Sequence, residues 1–494
     1  MADRATWRAA SLWRFPGVVA LAASLSACAT LGQQGEPVLP APAQPPAAAP
    51  RTVGIEPLSK AEHRRLVAQF GGEYHWPAAE RELNEVLAAL AKGAEAGGPA
   101  YRVTILNTPV VNAFALPSGN LYVSRGLLAL ANDASEVAAV MAHEIAHVTA
   151  RHAAARAERE KRAALITQAA NVIQSRQKGE QVEASQKLSF ASFSRQQEID
   201  ADRIGVAVLA RAGFDPFGAS RFLSSLERAS ALRAEAMGRP SQTKPDILAT
   251  HPSTPERIGK AQGAAREIGA PGLGRNDAGP YLASIDGMAF GDDPAEGVVR
   301  GRRFLHPRLG FAFTAPEGFA LENGAKALLG SRDEGVEALR LDSVAAGTTP
   351  SLEAYLSSGW IEGIVASSVE SGEVNGLPAA FATARAGAWN FRVAAIRVGT
   401  EIYRIIFAAR SLSDEVDRRF RGSIETFHRL SPAETAAIKG QKIALAQAGP
   451  SDTAATMAAR MAVADRPLET FLLLNGLAGA EPLEGGRSYK IVTE

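Results

Sequence analysis

The sequence predicts an α+β protein with about three folded parts: a mainly helical domain carrying one small β-hairpin, a small α+β domain, and a short tail. Three observations predict it. Apolar residues recur at helical spacing up to about residue 268, alternating strand patterns fill 301–432, and a Gly- and Pro-rich stretch lies between them. The 494-residue chain is 46% hydrophobic and 21% charged, so most of it can build cores. A net charge of +1 with no basic stripe argues against nucleic acid as the main partner.

Residues 1–28 read as an export signal: Arg4, Arg8 and Arg14 precede the apolar run Val18 to Leu25, too short to span a bilayer. The run ends in Leu25-Ser26-Ala27-Cys28, which resembles a bacterial lipobox and implies a lipid anchor on Cys28. Ala29 stands where an inner-membrane retention signal would show Asp, so the resemblance implies a periplasm-facing lipoprotein of the outer membrane. Cys28 is the one cysteine, so the chain has no intrachain disulfide and no thiolate metal site in its folded part. Residues 29–52, rich in Pro and Ala, predict an extended tether.

The first domain is expected over 53–268. Ser59 and Glu62 form a capping box, and Leu83, Val86, Leu87 and Leu90 mark a second helix. Tyr101 to Leu106 alternates as a strand. Val110 to Ala115 and Leu121 to Ser124 predict a hairpin around Pro117-Ser118-Gly119-Asn120, whose edge offers main-chain hydrogen bonds to an extended peptide. Asp133 with Glu136 predicts a capping box at the start of the next helix. That helix carries His143-Glu144-Ile145-Ala146-His147. Four-residue spacing puts both imidazoles on one face, one turn apart, where they can bind a single zinc ion while Glu144 reaches a metal-bound water. Two buried imidazoles without a ligand would be costly.

Arg151 to Ala170 predicts a further helix, and the polar run Gln174 to Glu180 after it reads either as a lid or as a solvated loop. In the helix beginning after Ser194, Glu198 is the natural third ligand. Asp202, one turn on, can accept the second ring proton of a ligating histidine. Asp215-Pro216 starts another helix, and Thr254-Pro255 a last one. Pro252 biases His251 toward an extended backbone, so its imidazole can project from a loop.

Asn112-Ala113-Phe114-Ala115, Gly126-Leu127-Leu128, His143-Glu144-x-x-His147, Glu198-x-x-x-Asp202 and Thr250-His251-Pro252-x-x-x-x-Arg257, in this order, resemble metallopeptidase family forty-eight over about residues 55–265. The resemblance implies a gluzincin fold and one zinc per chain held by His143, His147 and Glu198. It also implies Glu144 as general base, Asp202 behind a ligand and polypeptides as substrates. The chain lacks the transmembrane helices of the membrane-embedded branches, so its soluble periplasmic branch is nearer. In that branch the loop of His251 lies over the zinc, where the imidazole either plugs the open position or donates to the oxyanion.

Residues 269–300 are expected to be a linker. In 301–432, strands are expected near Phe311 to Ala315, Val336 to Asp342, Ala379 to Ala386, Phe391 to Val398 and Glu401 to Ala408, with helices at Leu352 to Leu356 and after Ser413. No catalytic constellation is legible there. Residues 440–494 resemble a degenerate LysM module, which implies either peptidoglycan binding or a structural cap. The reading is a zinc endopeptidase of the cell envelope. The alternative is a non-proteolytic assembly chaperone or cell-wall-binding lipoprotein whose zinc is structural, recognisable by a fourth protein ligand.

Overall fold

In the computed structural model the described residues are 58–94, 99–158, 193–237, 251, 254–324, 326–332, 335–347, 351–479 and 482–494. The export signal with Cys28, the tether, and the polar run after Ala170 lie outside them. Lys60–Ala68 (α1) starts at Ser59, whose hydroxyl and the Glu62 carboxylate satisfy each other's backbone N–H as a capping box. Pro77–Gly93 (α2) buries Leu83, Val86, Leu87 and Leu90. Arg102–Leu106 (β1), Ala113–Ala115 (β2) and Asn120–Ser124 (β3) form a sheet in the order β1-β3-β2, β1 parallel and β2 antiparallel to β3. The expected hairpin is therefore present, and β2 is its edge strand.

After the short helix Arg125–Leu130 (α3) comes Ala134–Thr149 (α4), in which every residue from Ala134 to His147 is buried. Such a helix has no wet face over most of its length, so packing on all sides sets its position. Asp133 caps it by accepting from the Glu136 N–H. The other half of the expected box is different: the Glu136 carboxylate accepts from the Asn132 N–H at 2.9 Å and lies 3.5 Å from Arg221. Arg195–Arg211 (α5) packs along α4, and Gly205 makes the approach possible. A Cβ there would sit 3.2 Å from the His143 backbone nitrogen. Gly218–Met237 (α6) and Pro255–Ile268 (α7), the latter capped by Thr254, complete the helical layer. No helix among the described residues is long and apolar enough to cross a membrane.

The stretch 269–300 is not a linker. Ala278–Ile285 (α8) buries Tyr281 and Ile285 in the first domain's core, and the Tyr281 hydroxyl donates to the Leu128 carbonyl at 2.6 Å. Ala289–Phe290 (β4) follows, held by fully buried Arg125, which donates to the Gly291 carbonyl at 2.6 Å. High Gly and Pro content marks turns here, while the few apolar residues between them do the packing.

Val298–Arg300 (β5), Arg303–His306 (β6), Phe311–Thr314 (β7) and His428–Arg429 (β15) make one antiparallel sheet. The other joins Ala320–Asn323 (β8), Leu328–Arg332 (β9), Glu337–Ala345 (β10), Glu370–Val374 (β11), Leu377–Ala386 (β12), Trp389–Val398 (β13) and Glu401–Ala409 (β14). Its order is β11-β12-β13-β14-β10-β9-β8. Leu352–Leu356 (α9) and Asp414–Ile424 (α10) cover it, and Phe420 stacks on Phe407 with ring centroids 4.5 Å apart. The expected strands and helices of this region are all present.

After Pro432–Ala437 (α11), the tail runs Gln441–Gln447 (β16), Ala454–Ala458 (α12), Pro467–Leu474 (α13) and Ser488–Thr493 (β17). β16 pairs with both β17 and β4. Ile443, Met457, Phe471 and Val492 belong to the same apolar core as Leu83, Leu127 and Val137. Lys490 is fully buried and donates to the Ala129 and Ala131 carbonyls at 2.8 and 2.6 Å, just ahead of α4. Burial draws its pKa down to about 7. The tail is thus built into the first domain. Phe471→Ala is expected to cost about 3–5 kcal/mol and to lower one shared unfolding transition; a separate early transition of the tail, seen by calorimetry, would contradict the common core.

Candidate active site

α4 presents His143 and His147 one turn apart, and α5 brings Glu198 and Asp202 against them across the Gly205 contact. The His143 and His147 Nε2 atoms are 3.0 Å apart. Glu198 Oε2 lies 3.5 Å from the first and Oε1 3.6 Å from the second. His251, immediately upstream of α7, places Nδ1 3.0 Å from Glu198 Oε1 and 3.2 Å from His143 Nε2. One donor atom from each of these four buried residues lies within 4.8 Å of all the others.

Three imidazole nitrogens and one carboxylate oxygen turned toward one point suit a borderline divalent ion such as zinc. His143, whose Nδ1 is directed to Asp202, turns its Nε2 lone pair inward, where the Nε2 of His147, the Nδ1 of His251 and the Glu198 carboxylate also converge in a buried site. The residues present therefore fit a metal. The expected ligands His143, His147 and Glu198 are brought together, and His251 joins them as a fourth donor.

Asp202 Oδ1 lies 2.9 Å from His143 Nδ1, where it orients the ring. Burial works against the charged form of His143, yet Asp202 and Glu198 hold its pKa up at about 9. Burial likewise penalises ionised Glu198, but hydrogen bonds from His143 and His251 outweigh it and keep the carboxyl below its usual range. His147 shifts the other way, lowered by burial and by the neighbouring imidazoles. Glu144 is not among the donors. It is buried, one carboxylate oxygen has no hydrogen-bond partner, and its Oε1 is 3.7 Å from His251 Nε2. Burial raises its pKa, opposed by His251, His143 and the Ala115 N–H of the edge strand β2. Thus Glu144 stands between the edge strand β2 and the donor His251.

Sequence reasoning left three participants without roles. Arg257, 3% exposed, clasps Asp202 through Nε and Nη2 at 2.7 Å each, and its Nη1 reaches Glu198 at 2.9 Å. A signal existed: Arg257, Ala261 and Ala265 lie at i, i+4 and i+8 on the buried face of α7, and a charge there demands a partner. His152 Nδ1 lies 3.0 Å from His147 Nδ1, and the Phe193 ring packs on His147 with centroids 4.0 Å apart. Neither has a spacing rule that would reveal it.

Residues 77–265 match peptidase family M48. The chain is 32% identical over 202 residues to the beta-barrel assembly-enhancing protease of Escherichia coli (strain K12), covering 39% of this chain and 40% of that one. It is 35% identical over 161 residues to the mitochondrial metalloendopeptidase OMA1 of Arabidopsis thaliana, covering 32% and 30%. The chain therefore spans well under half the length of these relatives. The second α+β domain and the tail lie beyond the matched residues.

Arg257→Ala leaves Asp202 and Glu198 buried without their cation, so the metal-free protein is expected to lose about 3–5 kcal/mol, part of it restored in Arg257→Lys. Equal thermal midpoints for wild type and both variants would contradict the role given to the guanidinium.

Proposed function

We propose that this chain, whose residues 77–265 form a metallopeptidase domain of family M48, is a zinc endopeptidase that cleaves polypeptides in the bacterial cell envelope. One observation carries the reading: a buried carboxylate that is not a metal donor, Glu144, stands beside a donor set under an edge strand. A purely structural metal site has no use for such a group. Zinc, when bound, would polarise a carbonyl and acidify water at the donors. Glu144 takes a proton from the attacking water and delivers it to the leaving amine, with no acyl-enzyme needed. β2 aligns the substrate backbone by strand addition. Asp202 keeps His143 in one tautomer, and Arg257 keeps Asp202 ionised.

A fourth protein donor is also what a structural zinc site would show, and His251 supplies one. Its position favours a plug instead. The other three donors stand on packed helices, whereas His251 precedes α7 and lies outside any helix or strand. Three donors remain if it withdraws, leaving a position for substrate. Exported, unassembled or misfolded proteins are the substrates this reading assigns, with the chain anchored through Cys28. Glycan binding by 440–494 is a weaker part of it, because the same tail is occupied in packing against the first domain.

Glu144→Gln is expected to retain zinc and fold but lose about 10²–10⁴-fold in casein cleavage. The wild-type rate should fall as pH drops through the raised pKa of Glu144, since the base works only when ionised and burial favours its neutral form. Under the same assay His251→Ala should raise basal cleavage. A loss of roughly a hundredfold would make it an oxyanion donor, and proteolysis absent from wild type and this variant alike, with zinc bound, would favour the structural site. For the anchor, Cys28→Ser should move the protein to the soluble fraction; retention on membranes after a high-salt wash would rule the lipid out.

A further inference from the structure

Next to the metal donors is a cavity that the chemistry above does not use. α6 contributes Ala219, Phe222, Leu223 and Leu226, at i, i+3, i+4 and i+7, and α4 contributes Ala139 and Val140. His143, His251, Asp202 and Arg257 close the remaining side. The walls are thus apolar except where they meet the donor cluster. Asp202 and Arg257 are bound to each other there, so neither is free to greet a polar group. An unfilled apolar space inside a packed helical layer forfeits contacts on both walls. This one adjoins the point where the scissile carbonyl would sit.

We infer that this cavity receives an apolar side chain of the substrate residue on one fixed side of the scissile bond, which makes the enzyme selective for aliphatic residues at that position. The inference rests on the peptidase reading and adds its substrate class. Size sets the choice. The cavity holds about 40 Å3, and roughly 10–15 Å3 on this measure admits one water, so the space is on the order of three waters. That matches the side chain of Leu, Ile or Met, and is too small for an indole. A charged side chain would be left without partners against Phe222, Leu223 and Leu226. Ala219 is the smallest residue on the α6 wall, so a larger side chain there occupies the space directly.

The test digests unfolded casein with the full-length protein and maps the cut sites by mass spectrometry. Leu, Ile and Met should be enriched about tenfold or more at one of the two positions flanking the bond. Ala219→Phe, at unchanged zinc content, should shift that position to Ala and Gly. Leu223→Ala, which enlarges the cavity, should shift it to Phe. Cutting without enrichment at either position, or the same preference in wild type and both variants, overturns the inference while leaving the peptidase intact. If neither the wild type nor His251→Ala cuts anything, the peptidase reading itself fails. The cavity is then decided by titrating the zinc-loaded protein with leucine hydroxamate and glycine hydroxamate in a calorimeter. At least tenfold tighter binding of the leucine compound, lost in Ala219→Phe, supports the pocket, and equal affinities refute it.

Discussion

The clasp of Arg257 on Asp202 and Glu198 is the interaction the site depends on. Three carboxylates, Glu144, Glu198 and Asp202, are each buried within one small volume, and each would favour its neutral form if left alone. The guanidinium offsets part of that charge with a planar fork matched to a carboxylate, which a lysine does not reproduce. A divalent ion would offset the rest. With Asp202 held ionised, His143 has an acceptor for its Nδ1 proton and turns Nε2 toward the donors. Because Arg257 stands on α7 and His251 just before it, the seating of one helix sets both the charge balance and the fourth donor.

That linkage bears on how a site with four protein donors can be catalytic. Burial keeps Glu144 uncharged more readily than an exposed glutamate, and in the function proposed above it would act as a base once substrate and metal settle its proton. His251 lies between it and Glu198, 3.7 Å from one and 3.0 Å from the other. In the function proposed above, withdrawal of this imidazole would open a position beside Glu144 and next to the apolar cavity together.

The core explains why the tail and the segment 278–290 cannot be read as appendages. α4 is buried on all sides, so something must cover the faces that α2, α5 and α6 leave bare. Tyr281, Ile285 and Met288, and Met457, Phe471 and Val492 of the tail, join the same apolar core, with α8 packed on α2 and α13 packed on α3 and α6. The Lys490 ammonium satisfies carbonyls at the end of α3 that would otherwise be buried without donors. The elements around α4 are thus braced from the far end of the chain.

Local chemistry was legible in the sequence, and it determined a good deal. The His143–His147 spacing, the Glu198–Asp202 spacing, the caps at Ser59, Asp133 and Thr254, and the hairpin with β2 at its edge all follow from the local pattern of a single element, which neighbouring residues express directly. Tertiary structure decided what depends on distance between elements. The approach of α5 to α4 at Gly205, the clasp of Arg257 and the cavity between α4 and α6 each join residues far apart in the chain. The same reason turned 269–300 from an expected linker into core. Its few apolar residues are too sparse to show a period, yet each meets a surface supplied by elements more than a hundred residues away, and burial rewards contact area whatever the sequence separation.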